Sequence, residues 1–580
     1  MRKHYKLLPI QHSMALNKIS EEISAAIRRY ALENAVKFNG KANPNALIGR
    51  IMGDFPEARQ NGKEILAAIN TIVAEVNLLS LEQQQVDFQQ LAPELLNKKP
   101  QEKRKGLPEL KNVNITHHEV VLRFEPSPSG PLHVGHAYVL GLNTLYARKY
   151  DGQLILRIAD TNSGNIYTPA YDLIPEDGLW LTDKNITQFI IQSDRLDLYY
   201  NYALKLIDLG GAYMCTCTAE EFKECITQKT ECPCRQKNVN ENVKDWHKMF
   251  TQYKQGDAVM RLKTDVTHKN PALRDFPLFR INEDEHPRQA KKYKVWPLMN
   301  FAVSVDDHDT GVTHILRAKD HADNAVRQKM IFKYFNWSVP ETIFVGKINF
   351  KDLNVSCSKT KPLILDGTYE GWDDIRLPFI PALRRRGYQP EAFMRYAEEV
   401  GVTLSDKSVS KEEFFKTIDH FNKEVLEKKS NRYFFVPAPV KIKVEKAPEQ
   451  QITLDLHPDL RKGGRSFFTK DTFYLPSTDI LEDGKEYRLM DCLTFKFSNG
   501  RCMFTSKKLE GKPKIIQWIS DDKHNVNVEI RMSDNSLIQG LGEPSLENLS
   551  EGDEVMFVRF GFCRLDKIEG DVYKFWFTHK

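Results

Sequence analysis

EVVLRFEPSPSGPLHVGHAYVLGLNTLYARKYDGQLILRIAD, residues 119–160, decides the fold. Two short apolar runs, 119–124 and 152–160, bracket a loop and a helical stretch. A strand, a loop, a helix and a second strand in this order mark a doubly wound parallel sheet. Pro126 and Pro128 stiffen the loop, while Gly130 and Gly135 let backbone approach a ligand closely. His133 and His136 stand three residues apart and so share one face of the first helical turn. The free amides and the dipole of that turn favour an anion at the same place. Two imidazoles there suit a triphosphate whose charge grows as pyrophosphate departs, because they donate hydrogen bonds without a strong fixed charge. An isolated H-x-x-H is more often two surface histidines. The strand, the P-x-P-x-G loop and the helix together favour nucleotide binding.

At roughly 150 residues per domain, a chain of 580 residues carries several domains. Its 41% hydrophobic and 28% charged residues exclude general disorder. No apolar run reaches the ~18 residues of a membrane span, and the N-terminal MRKHYKLLPIQHSMAL lacks the apolar core of a secretory signal. The net charge of +5 is nearly balanced and does not argue for a nucleic-acid surface over the whole chain. Nine cysteines are too few for a disulfide scaffold. Four of them, Cys215, Cys217, Cys232 and Cys234, form C-x-C-x14-C-x-C, which suits a closed tetrahedral zinc site of structural kind, with Cys225 surplus to it.

Apolar residues at helical spacing predict a helical domain over 1–97, with Gly40 as a stop within it. Charge and proline in NKKPQEKRKGLPELK predict a linker over 98–117. Alternating strands and helices predict a Rossmann-type domain over 118–350, with an insertion at about 210–290 that carries the cysteines. A loop and helices fill 351–436. Short alternating strands over 437–580 predict a β-barrel region. The fold class is multidomain α/β plus all-β. LRRRGY (383–388) reads either as a phosphate contact or as a solvated helix face. Tyr573, Phe575 and Phe577 are candidates for base stacking or for barrel core.

PSPSGPLHVGH resembles the HIGH motif of class I aminoacyl-tRNA synthetases in the form used for glutamate and glutamine. RLPFIPALRRRGYQPEAF (376–393), LDLHPDL (454–460) and RFGFCRLDKIE (559–569) resemble the archaeal-type glutamyl branch, over nearly the whole chain. The resemblance implies activation of L-glutamate by ATP and magnesium to glutamyl-adenylate. Transfer to the 3′ end of tRNA(Glu) follows, and tRNA(Gln) is included in the relaxed form of such enzymes. It also implies a cytoplasmic monomer, structural zinc and an anticodon-reading β-barrel region. ATP contacts map onto Pro126, Ser127, Gly130, His133, Gly135 and His136. NVSCSKTK (354–361) aligns with the second signature, KMSKS, and offers Ser358 and Lys359 to the phosphates, with Cys357 where that motif has its second lysine. His133, His136 and Lys359 are thus the implied catalytic groups. Arg123, Ser127 and Arg317 are the implied amino-acid contacts.

A side-chain carboxylate calls for a guanidinium. Arg317 in THILRAKDH (313–321) maps onto that role and favours glutamate over the glutaminyl alternative. Its bland alternative is a salt bridge with Asp307 or Asp320. Two positions depart from the pattern: Ala159 stands where an acid usually holds the substrate ammonium, with Asp160 and Asn162 as candidate substitutes, and Met299 stands where tyrosine is usual. These departures, with Cys357, motivate a second reading, a tRNA-binding paralogue with weak or lost activation.

Overall fold

The structure is a computed structural model that describes residues 19–91, 106–113 and 120–580. The chain divides into two compact units between residues 105 and 106.

In the first unit, helices Glu21–Lys37, Pro44–Asp54, Gly62–Leu78 and Leu81–Leu91 bury Ile27, Tyr30, Ile51, Ile69, Val73 and Phe88 together. Ser20 starts the first helix by accepting the Ile23 N–H. The chain turns where the sequence predicts: Gly40 takes φ +90° and its N–H reaches Ala35 O at 2.8 Å.

Residues 98–105 and 114–117 of the predicted linker lie outside the described residues. Residues 106–113 are no free connector. Leu110 is buried, Tyr146 donates to Pro108 O at 3.0 Å, and a His314 ring nitrogen lies 2.8 Å from Lys111 O.

The second unit opens on the parallel strands Val121–Phe124, Gln153–Ile158 and Gln188–Ile191, side by side in that order. On the free side of the first strand, Thr313 N–H donates to Val121 O at 3.0 Å. That bond brings in His314–Ala318, which pairs in parallel with Glu341–Val345. The spatial order is therefore third, second, first, fourth, fifth. Connections leave the first strand in opposite directions, so a crevice opens beside its C-terminal end. The loop with His133 departs from this end.

Between the third and fourth strands, Ala212–Cys215, Val259–Leu262, Pro277–Ile281 and Val295–Pro297 form an antiparallel sheet around Trp246, Phe279 and Trp296. The insertion thus runs past the predicted residue 290. After the fifth strand, Pro390–Val400 packs on the helix Val134–Lys149. A Cβ on Gly141 would lie 2.8 Å from Ala397 Cβ, so glycine permits the approach.

The β-rich region begins at Asn431 rather than 437, because Asn431–Tyr433 and Phe435–Pro437 already pair with later strands. Two seven-stranded sheets follow. One combines these two strands with those of 526–579. The other is built from 439–520, so the chain enters the first, completes the second and returns. Phe575 is core, and Tyr573 and Phe577 pack half-buried around it.

The arginines of LRRRGY are all engaged by partners: Arg384 and Arg385 are half-buried, and only Arg386 is fully withdrawn from solvent. Arg384 pairs with Glu176 at 2.7 Å, and Arg385 with Asp566 at 2.7 Å and Asp373 at 2.8 Å. Arg386 is buried and donates to Thr578 O at 2.9 Å. Arg385 and Arg386 fasten the junction helix to the last strands and Arg384 ties it to the helix Ala170–Leu181, and these partners lie too far along the chain to be seen in sequence.

Candidate active site

His133 is the N-cap of the helix Val134–Lys149. Its Nδ1 accepts Gly135 N–H at 3.1 Å and His136 N–H at 3.4 Å, while His136 Nδ1 accepts His133 N–H at 3.4 Å. With each Nδ1 an acceptor, the neutral ring carries its proton on Nε2. The two rings stack 3.7 Å apart. Burial, reinforced by His136, holds His133 well below the ordinary imidazole value, and burial brings His136 to about 4. At neutral pH the pair therefore offers two Nε2–H donors and no fixed charge. A Cβ at position 135 would sit 3.0 Å from the His133 ring, so glycine lets the imidazole keep this position undisturbed.

Three contacts seat the loop. Leu132 N–H donates to Asp177 Oδ2 at 3.1 Å, Val134 N–H to Pro378 O at 3.2 Å, and Ile380 N–H to Leu132 O at 2.9 Å. Asp177 is fully buried, and burial pushes its pKa up to about 8. Sequence reasoning missed it, since nothing local links a helix residue to a loop amide far upstream.

The second signature segment starts the helix Cys357–Leu365. Cys357 is buried over Gly130, where a Cβ would lie 2.7 Å from Cys357 Sγ, and burial pushes the thiol up to about 11. This position packs one signature loop against the other and supplies no charge. Lys359 is exposed on the first turn, its ammonium free of any ion pair among the described residues. Ser358 Oγ lies 3.0 Å from Ser356 Oγ, and Ser127 is exposed. Pro126 is buried, and its carbonyl accepts Ala159 N–H at 3.0 Å.

Beside the loop lies a buried charge network. Arg157 is fully buried, with Nη2 at 2.8 Å from Asp307 and other guanidinium nitrogens 3.7 Å from Asp306 and Glu125. Arg123 lies 3.4 Å from Asp307 and 3.6 Å from Glu125, and its Nη2 has no hydrogen-bond partner. Asp306 is held by Arg195 at 2.8 Å, Gln192 at 2.9 Å and the Tyr199 hydroxyl at 2.8 Å. Burial pushes the Glu125 carboxyl up; the two arginines oppose this only in part.

Arg317 differs from its neighbours. It is 8% exposed, yet its guanidinium makes no hydrogen bond or ion pair among the described residues. Burial, then the nearby Arg123, pulls its pKa down to about 10, which still leaves it cationic. The bland alternative falls away: Asp307 is taken by Arg157 and Arg123, and Asp320 faces Lys347 at 4.0 Å.

The candidate substitutes near Ala159 are also engaged. Asp160 is fully buried, accepting Ser193 N–H at 2.8 Å, Ser193 Oγ–H at 2.7 Å and the Tyr171 hydroxyl at 2.6 Å. Asn162 Oδ1 accepts Arg280 at 2.9 Å. Met299 stands at the start of its helix, 40% exposed.

Cys215, Cys217, Cys232 and Cys234 bring all four sulfurs within 4.8 Å of one another. The S···S separations of 3.6, 3.3 and 3.7 Å are too long for a disulfide. They approach the ~3.8 Å edge of a tetrahedron with Zn–S bonds of about 2.3 Å. Thr216 N–H lies 3.5 Å from Cys234 Sγ, an outer hydrogen bond of the kind that steadies a thiolate. The residues fit zinc with no open coordination position.

A parallel sheet with a histidine-capped helix at its switch point defines a nucleotide-binding α/β protein. The catalytic-domain model of the class I tRNA synthetases (E and Q) matches residues 119–428, and the anticodon-binding-domain model of the same family matches 430–511. The chain belongs to this family. A glutamate–tRNA ligase of Methanobrevibacter smithii is 43% identical over 566 residues, covering 96% of this chain and 100% of the relative. One from Methanocaldococcus jannaschii is 40% identical over 558 residues, 95% of this chain and 99% of the relative. A solved glutamate tRNA ligase from Elizabethkingia meningosepticum aligns over 54% of this chain and 71% of its own, with 19% identity and a TM-score of 0.40.

Among the described residues, no helix is long and apolar enough to cross a membrane.

Proposed function

We propose that this chain is a glutamate–tRNA ligase, which activates L-glutamate with ATP and transfers it to the 3′ end of tRNA(Glu), tRNA(Gln) being a further acceptor in the relaxed form. The observation that carries the reading is Arg317, a nearly buried guanidinium that makes no hydrogen bond or ion pair among the described residues and lies close to Arg123, Asp307 and Glu125. A fixed guanidinium recognises a carboxylate by two parallel bonds. A glutamine carboxamide would leave the same cation buried and uncompensated.

In this reading Ser127 and Gly130 give the triphosphate backbone amides, Pro126 and Gly135 shape the room for it, and the Nε2–H groups of His133 and His136 face its charge. Ser358 and Lys359 close from the second loop. Arg123, Ser127 and Arg317 hold the amino acid. Magnesium accompanies the phosphates and neutralises their charge. The chain's own work is positioning and stabilisation of charge. We assign the two β-sheets to the anticodon, and the protein to the cytoplasm as a monomer.

The test is tRNA-dependent ATP–pyrophosphate exchange with glutamate and glutamine side by side. Exchange with glutamate only is expected. Exchange with glutamine alone overturns the specificity. No exchange, with tRNA binding intact, selects the binding paralogue.

The four cysteines are assigned to structural zinc. Metal analysis of the purified chain is expected to give about one equivalent, and less than about half would reject a stable four-thiolate site.

A further inference from the structure

The crevice offers more than Arg317. Arg123 Nη2 is buried with no hydrogen-bond partner, which leaves a second guanidinium with a free donor. Of the acids in the network, Asp306 and Asp307 are spoken for by contacts of 2.8–2.9 Å, and Asp160 by contacts of 2.6–2.8 Å. Glu125 is not. Its Oε1 accepts a single long bond from Gln192 Nε2 at 3.3 Å. Its Oε2 stands 3.6 Å from Arg123 and 3.7 Å from Arg157. A carboxylate has about four acceptor sites, so most of its capacity is unused. The side chain keeps 9% exposure, so it is not wholly sealed from a ligand. Glu125 precedes Pro126, whose carbonyl is bonded to Ala159 N–H, and Ala159 contributes only a methyl group there.

Arg157 also carries guanidinium nitrogens without a hydrogen bond, but it is fully enclosed among Asp306, Asp307 and Glu125, whereas Arg123 and Arg317 keep some exposure. These two partly accessible guanidiniums and one underused carboxylate mirror the charges of an α-amino dicarboxylate: two anionic ends and one ammonium. We propose that Glu125 binds the substrate's α-ammonium group. The assignment rests on the reading of this crevice as the glutamate site and adds the residue that recognises the amine. The ammonium supplies the short donors that Glu125 lacks, and the glutamate carboxylates take up the free donors of Arg123 and Arg317. The raised proton affinity of Glu125 fits a carboxylate whose counter-charge arrives with the ligand.

The experiment compares wild type with Glu125→Gln, which keeps the shape and removes the charge. In tRNA-dependent exchange the glutamate KM is expected to rise about 10- to 100-fold, the range of a lost charge-assisted hydrogen bond, with the ATP KM unchanged. Glutarate, which has both carboxylates but no amine, serves as competitor. It is expected to bind wild type at least about tenfold more weakly than glutamate and to bind E125Q no more weakly than wild type. A glutarate constant that rises in parallel with the glutamate KM shows that Glu125 merely spaces the arginines and overturns the proposal. So does a glutamate KM within about twofold of wild type. Should E125Q lose ATP affinity as well, Glu125→Asp decides: recovery of the glutamate KM toward wild type supports the assignment, and no recovery overturns it. Failure of the underlying reading shows separately, as absence of glutamate-dependent exchange in wild type.

Discussion

Replacing Arg317 by glutamine is expected to lower kcat/KM for glutamate at least thirtyfold, a loss of about 2–5 kcal/mol. The magnitude follows from the state of the side chain before substrate arrives. Arg317 is nearly buried and makes no hydrogen bond or ion pair among the described residues, so only the through-space attraction of Asp307 and Glu125 offsets the desolvation of this cation. Burial and then Arg123 draw its pKa down to about 10, with Asp307 and Glu125 opposing them only in part. In the proposed site a substrate carboxylate would complete the pairing, and at a nearly buried guanidinium such a pair is worth far more than a surface ion pair. The ATP KM is expected to stay near wild type, because the histidine loop is seated by Asp177, Pro378 and Ile380 and not by Arg317. Arg317→Lys, a charge without the planar fork, is expected to fall between the two. Steady-state exchange kinetics with varied glutamate checks all three proteins; an unchanged glutamate requirement in R317Q removes Arg317 from the site.

The parts legible in sequence are those with a local rule behind them. Strand, proline-stiffened loop and helix at 119–149 are contiguous, so periodicity and turn chemistry reveal the nucleotide crevice before any long-range contact is known. The cysteine pairs are likewise local, and the structure gathers all four sulfurs. The roles of charged residues were harder to read, because charge is compensated across the chain. Asp307, an adjacent acid in VDDHD on the sequence, is the counter-ion of Arg123 and Arg157. LRRRGY has the composition of a phosphate contact, yet its partners Asp566 and Thr578 come from the last strands. Asp160, next to the missing acid, has the right chemistry but is consumed by Ser193 and Tyr171. Glu125 is the converse: in sequence a loop residue between Phe124 and Pro126, in the fold a carboxylate short of partners.

The buried network makes a second large prediction. Arg157→Met is expected to destabilise the catalytic unit by about 3–5 kcal/mol, the usual cost of removing one member of a buried charge cluster. Arg157 is fully buried, and Asp307 at 2.8 Å and Asp306 and Glu125 at 3.7 Å are its carboxylate neighbours. Methionine fills much of the volume, so the loss is electrostatic rather than a cavity effect. The pH dependence distinguishes the two. Burial pushes Asp307 up, but Arg123 and Arg157 outweigh it and hold the carboxyl below its ordinary value. In wild type that contribution is fully present above the unfolded pKa of about 3.9 and is lost as pH falls through the lower folded value. Without Arg157 only Arg123 and Arg317 oppose burial, so the folded pKa of Asp307 is expected to rise past the unfolded one, and a group so raised loses its stabilisation as pH rises through the folded value. The deficit of R157M against wild type is therefore expected to be largest at neutral pH and to shrink toward pH 5, as Asp307 and Glu125 take up protons. Urea denaturation at both pH values measures this, and a deficit independent of pH would identify packing as the cause. Pairing the change with Asp307→Asn removes the orphaned charge as well, so the double variant is expected to be more stable at pH 7 than R157M alone. A double variant no more stable than the single would mean that Arg157 compensates the network as a whole, with Asp306 and Glu125 carrying the share assigned here to Asp307.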